Sequence, residues 1–415
     1  MTAKKLPPRR SQSTVKDPML RGAPSSRLQS ALGTTLSPYA AAYYKTDPNK
    51  PSKPVAQKTS RRPLYKKIAK RSALILLVLA VLVGGWLGWK LAVNSGKIFG
   101  GSVFGLLHPT KLKGEDIGRV NILLAGNSAD DPNHGGAQLT DSIMLVSIDT
   151  KNNTAFLLSI PRDLWVKVPN QGYAKINTAY VAGEADKFSA SGYPNGGMGE
   201  LEQIVSADFG IPIDYYALVN YTAFRDTVNA VGGVDVTIQS SDPRGLYDPN
   251  IAVADGGPLK MRNGIQHLNG QQALNLARSR GDSYRSYGFP ASDFDRTNHQ
   301  RQLLVALKSR MSSASTLSNP IKISSLLDAV GKNITTDFST GQASRLYQIA
   351  NKINNGNIAS VSLNAYQGKD YLTSYTGYGG QSALIPAAGI TNFSDIQQLL
   401  DKLSVVPTPT PTTKK

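Results

Sequence analysis

The chain of 415 residues contains no cysteine. That absence removes disulfides, thiolate nucleophiles and every zinc or iron–sulfur site built on sulfur. Histidine is scarce as well. His108, His134, His267 and His299 are the only four, with no HExxH and no close pair, so zinc chemistry is not expected. Acidic residues are missing from one end: residues 1–72 hold 17 Lys and Arg against Asp17 and Asp47 alone. The remaining residues are close to balanced, so the net charge of +18 belongs to a tail. A globular nucleic-acid-binding domain is not indicated, and no specific nucleic acid is expected as a partner.

Charge is also absent from Ala73 to Trp89, an apolar run of 17 residues. Snorkelling of Lys90 extends it through Val93, giving a segment 73–93 long enough to span a bilayer core. Trp86 and Trp89 stand where an interfacial aromatic belt would lie. Lys58, Arg61, Arg62, Lys66, Lys67, Lys70 and Arg71 crowd its N-terminal side. The positive-inside rule therefore places the N-terminus in the cytoplasm and the rest outside a single-pass cell-membrane anchor. The expected organisation is a basic, disordered cytoplasmic tail at 1–72, the membrane helix at 73–93 and a juxtamembrane linker at 94–116. An extracytoplasmic domain follows at 117–403, then a Pro/Thr-rich tail at 404–415.

Within the domain, Val120–Ala125, Ser142–Ile148, Ala155–Ile160, Tyr215–Asn220 and Val234–Ile238 read as strands. Helical periodicity marks 199–207, 222–231, 270–278, 296–311 and 341–353. The pattern predicts an α/β fold with a layered mixed β-sheet flanked by helices. The stretch from Asp149 to Thr154 is a hairpin turn. Centred between Lys151 and Asn152, it sets Asp141 across from Arg162 at the open end of two strands. Alone, that pair is as easily a rim salt bridge. A second cluster adds Arg278 and Arg280, which share a side only if the chain has left its helix and become extended. Asp293, Arg296 and Gln300 follow at helical spacing on one face, with Asp293 or Asp295 as the expected N-cap. Arginines interspersed with carboxylates suit a pyrophosphate with a divalent cation. Gly192–Met198 and Tyr371–Gly380 read as loops, and His299 as helix surface.

Eight ordered blocks resemble the LytR-CpsA-Psr family: Asn121–Gly126, Thr140–Asp149, Leu158–Asp163, Lys175–Tyr180, Gly232–Val236, His267–Ala273, Ala277–Arg280 and Asp293–Gln300. The resemblance implies a Mg²⁺-dependent phosphotransferase of the bacterial envelope. Such an enzyme moves a glycopolymer, teichoic acid among them, from a polyprenyl-pyrophosphate carrier to peptidoglycan, with pyrophosphatase cleavage as a side activity. Carried over, Asp141 is the metal carboxylate, and Arg162, Arg278, Arg280 and Arg296 grip the pyrophosphate. Asp293 and Gln300 support that grip, and Lys175 and Asp163 sit beside the substrate. Two positions depart from the family pattern: Ser128 where an Asp is common, and Leu139 where an Arg is common. Asp130 and Asp131 are the expected substitutes at the metal. The alternative reading is a non-catalytic membrane-anchored protein that binds polyprenyl pyrophosphates or glycan strands.

Overall fold

The computed structural model describes residues 108–404, apart from 132–135, 252–255, 314–315 and most of 317–333. The segments 1–72 and 73–93, most of 94–116, the C-terminal tail and His134 lie outside the described residues. Among the described residues no helix is long and apolar enough to cross a membrane.

Six strands form the central sheet: β1 (Arg119–Gly126), β2 (Ser142–Asp149), β3 (Thr154–Ile160), β6 (Tyr215–Val219), β11 (Ile334–Thr336) and β12 (Ile358–Ser362). Their order is β11-β6-β1-β2-β3-β12. The sheet is mixed: β1, β2 and β3 run antiparallel in turn, β6 joins β1 in parallel and β12 joins β3 in parallel. The β2–β3 ladder runs from Ile143↔Ile160 to Asp149↔Thr154, the register expected from the turn. Asp149 Oδ1 accepts the amides of Lys151 and Asn152 at 2.9 and 2.8 Å, and Asn153 takes φ 52°. Short polar side chains that bond their own backbone and tolerate left-handed φ define this turn.

Both faces of the sheet are covered, as period-two apolar residues on each side require. One face sets Leu123, Leu145 and Leu158 against Leu201 and Val205 of α2 (Gly197–Phe209) and Ile396 and Leu400 of α7 (Ser394–Ser404). The short α1 (Ala179–Ala185) joins that layer through Ala182. The other face sets Val120, Ile122 and Ile148 against Ile349 of α6 (Thr340–Lys352) and against Phe338 just before it, with Tyr215 stacked on Phe338 at 4.0 Å. A third apolar cluster joins α3 (Tyr221–Ala230), α4 (Gly270–Arg278) and α5 (Asp293–Met311) to the hairpin of β7 (Val234–Ile238) and β10 (Gly264–Leu268). Two further hairpins pair β4 (Trp165–Val168) with β5 (Gly172–Lys175), and β13 (Leu372–Thr376) with β14 (Ser382–Pro386). A small one pairs β8 (Leu246–Asp248) with β9 (Leu259–Met261).

Four local expectations change. The N-cap of α5 is Ser292 at φ 48°, with no side-chain cap, and Asp293 opens the helix. Asp295 accepts the Ala291 amide at 2.7 Å from within the first turn. His299 is buried, edge-on to Phe289 at 5.8 Å, because α5 is enclosed on more sides than an amphipathic stripe implies. Burial, with Arg301 adding, pushes its pKa down to about 4. Helix α2 begins inside the supposed loop at Gly197. Gly197 and Gly199 are needed there because a Cβ would come within 2.2 Å of the Tyr180 carbonyl and 1.7 Å of the Pro194 carbonyl. The Tyr/Gly-rich stretch 371–380 supplies β13, paired along its length with β14.

Glu202 on α2 is buried. Burial, helped by Asp337 and Asp214 and opposed by Lys113, raises its pKa to about 8. The folded state therefore holds a proton that the unfolded chain has released. That stability is present in full below the unfolded carboxyl range and is lost as pH rises towards 8. Thermal midpoints should rise from pH 8.5 to pH 6, and Glu202→Gln should flatten the slope; an unchanged slope contradicts the assignment.

Candidate active site

The open end of the β2–β3 hairpin carries the first half of the site. Asp141 immediately precedes β2, and Arg162 follows β3 after Pro161 turns the chain. Arg162 Nη1 meets Asp141 Oδ1 at 3.0 Å, and Asn177 Nδ2 donates to the same oxygen at 3.1 Å. Asn177 is stitched in by its backbone: its amide donates to the Arg162 carbonyl at 3.2 Å, and its carbonyl accepts the Thr140 amide at 3.1 Å. Lys175, at the end of β5, reaches Asp163 Oδ1 at 2.6 Å.

The α4–α5 connection carries the second half. Arg278 ends α4, its guanidinium 4.6 Å from the centre of the Tyr221 ring. Ser279 is extended, at φ −70° and ψ 133°, so the chain leaves the helix between the two arginines. Buried Asp248 then holds the turn, since its Oδ2 accepts the amides of Arg280 and Gly281, both at 2.9 Å. Asp293 Oδ1 lies at the focus: 2.8 Å from Arg296 Nη2, 3.6 Å from Arg280 Nε and 4.0 Å from Arg162 Nε. Arg296 also donates to the Asp141 carbonyl at 3.0 Å, tying the halves together. Gln300 is a strut: its Oε1 accepts from Ser142 Oγ and its Nε2 donates to the Ala277 carbonyl, both at 2.9 Å.

Several polar atoms of the cluster go unmet. The Nε atoms of Arg162, Arg280 and Arg296 are buried with no hydrogen-bond partner, as are Asn177 Oδ1 and, for lack of a well-aligned donor, Asp293 Oδ1. A buried donor left unmade costs about 1–3 kcal/mol. Electrostatics agree. Burial, joined by neighbouring Arg162 and Arg280, pulls the Arg296 pKa down against Asp293 and Asp141. Arg162 is held up because Asp141, Asp163 and Asp293 outweigh its burial. An anion arriving here would meet donors already oriented and relieve the repulsion among guanidiniums.

The expected carboxylates divide. Asp130 accepts the amides of Tyr221 and Thr222 at 3.2 and 2.7 Å, so it caps α3. Asp131 enters a turn by donating its amide to the Ser128 carbonyl at 2.8 Å. Among the described residues no group of three or more His, Asp or Glu side chains is arranged to hold a metal ion. Three participants escape a sequence reading: Tyr221, Asn177 and Asp248. Tyr221 opens α3 at the end of β6, hydrogen-bonds Ser128 and lies near Asp141; burial first, then Asp141, raises its phenol pKa. Its only sequence signal is its place just beyond a strand's carboxyl end, where α/β sheets build sites.

A model of the LytR_cpsA_psr family matches residues 106–387. The chain belongs to this family. Among LytR-CpsA-Psr relatives, it is 30% identical over 306 residues to the polyisoprenyl-teichoic acid–peptidoglycan teichoic acid transferase TagV of Bacillus subtilis, covering 73% of this chain and 71% of TagV. It is 32% identical over 276 residues to TagU of Oceanobacillus iheyensis, which carries the same transferase description, covering 63% of this chain and 75% of TagU. The fold is that of solved LytR-CpsA-Psr domains. The B. subtilis TagV crystal structure superposes with a TM-score of 0.50 at 28% identity, over 70% of this chain and 98% of that one. The structure of TagT bound to LI-WTA gives 0.50 at 25% identity, over 69% and 89%.

The arginines should separate by burial. Arg296→Ala strips a buried partner from Asp293, a loss on the order of 3–5 kcal/mol, so it should lower the thermal midpoint. Arg280→Ala, at the rim, should leave the midpoint nearly unchanged. Both should abolish the rise in midpoint caused by inorganic pyrophosphate in the wild type; a rise retained in both would remove the cluster as an anion site.

Proposed function

We propose that this protein transfers a glycopolymer phosphate from a polyprenyl-pyrophosphate carrier to peptidoglycan, forming a phosphodiester. The observation that carries this reading is the set of three arginines around Asp293, each with a buried Nε that lacks an acceptor. A pyrophosphate supplies the oxyanions they need, and forked guanidiniums bind such oxygens in pairs. The names of TagV and TagU support the substrate class.

In the proposed step, the acceptor hydroxyl oxygen attacks the phosphorus that bears the glycopolymer. The bond from that phosphorus to the bridging oxygen breaks, and polyprenyl phosphate leaves with the electron pair. Arg162, Arg280 and Arg296 stabilise the charge that grows on the transferring group and on the leaving phosphate. Arg278, stacked on Tyr221, adds a cation at the mouth. Asp163, at the rim beside Lys175, takes the hydroxyl proton; Asp293 is committed to three arginines and unsuited to that role. With water in place of the hydroxyl, the same step is a pyrophosphatase reaction.

The residues fit Mg²⁺ as an ion held largely by the substrate. Asn177 and Arg162 both engage Asp141 through Oδ1, and Mg²⁺ ordinarily takes one or two carboxylates together with substrate phosphates. Bound there, the ion would neutralise phosphate charge. We assign 73–93 as the membrane anchor, with the domain outside the cell membrane. Tethering holds the site near a lipid-linked donor at high effective concentration.

The test uses a polyprenyl-pyrophosphate glycan donor with and without Mg²⁺. Wild type should turn over with metal, while Asp141→Ala and Arg280→Ala should each lose roughly 10²–10³-fold in rate. Tight donor binding with no turnover in the wild type would reject the enzyme and leave a carrier-binding protein.

A further inference from the structure

Two hairpins meet beside Asp163. In the first, β4 and β5 pair Trp165 with Lys175 and Lys167 with Tyr173, so all four side chains rise from one face. Lys175 reaches from that face to Asp163. The β13–β14 hairpin attaches at the same point. The Leu384 amide donates to the Asp163 carbonyl at 2.9 Å, and Leu384 pairs with Leu164 in a parallel bridge. Its Tyr375 ring lies 6.0 Å from the buried Trp165 indole. Gly377 sits so close over that indole that a Cβ would come within 2.8 Å.

The two faces leave tyrosines in solvent. Tyr378, directly after Gly377, is 90% exposed, and Tyr173 is 48% exposed. Both stand on hydrogen-bonded hairpins braced by Trp165, so ordering them on binding costs little. A tyrosine offers an apolar ring with a polar edge, which suits a ligand of apolar ring faces and hydroxyl rims. Exposed Lys167, on the Tyr173 face, adds a cation for a ligand that carries carboxylates. The surface runs into the reaction cluster through Lys175, Asp163 and Arg162.

We propose that this aromatic face binds the acceptor, a glycan strand bearing acidic sugars, and leads its hydroxyl to the arginine cluster. The inference rests on the transferase reading, and its test separates the two. Full-length protein in detergent is assayed twice: for binding to soluble glycan strands prepared from peptidoglycan, and for cleavage of the donor without acceptor. Tyr173→Ala and Tyr378→Ala should each weaken strand binding roughly two- to tenfold, and the pair more, with donor cleavage unchanged. Tyr378→Phe, which keeps the ring, should retain most of the affinity.

Strand binding unchanged in the double variant overturns the proposal whatever the donor does. So does equal competition by polyglutamate, which would reduce the face to a charged patch. Strand binding that depends on the tyrosines, in a protein that never cleaves donor, upholds the glycan site while the transferase reading fails.

Discussion

One carboxylate organises the centre of this domain. Asp293 Oδ1 stands among the guanidiniums of Arg162, Arg280 and Arg296, which come from a sheet hairpin, a loop and a helix. Without that negative charge the three cations would repel one another in a setting where water screens poorly. One carboxylate cannot satisfy them all, and unmet donors remain at Nε of each arginine. The arrangement persists while leaving three donors that an arriving oxyanion would satisfy. Stability and recognition thus rest on the same imbalance.

The scaffold holds that imbalance in place with polar struts. Gln300 bridges β2 to the end of α4, Asn177 bridges the second hairpin to the first, and Asp248 clamps the turn through Arg280. Helix α5 is fixed on the sheet edge by another buried arginine. Arg301 donates to Ser159 Oγ at 2.6 Å and to Ser360, and burial lowers its pKa to about 10. Serine hydroxyls suffice there because the position serves packing: a carboxylate would add a second buried charge to desolvate.

Position also explains the departure at Ser128. Ser128 is buried and bonded to Tyr221, whose ring faces Arg278, so the space near Asp141 is filled by a phenol. Asp130, two residues on, is drawn to the start of α3, where free amides compete for its oxygens.

Local pattern alone specifies the β2–β3 register, the strands β1, β2, β3, β6 and β7, several helices, and the meeting of Asp141 with Arg162. These follow from short-range physics: alternation of apolar residues, a turn specified by Asp149 and Asn153, and helical spacing. The focus on Asp293, the burial of His299 and the places of Tyr221, Asn177 and Asp248 were decided only by tertiary structure. Each depends on which elements pack together across long separations. Burial, unlike periodicity, is a property of neighbours that a local pattern does not contain.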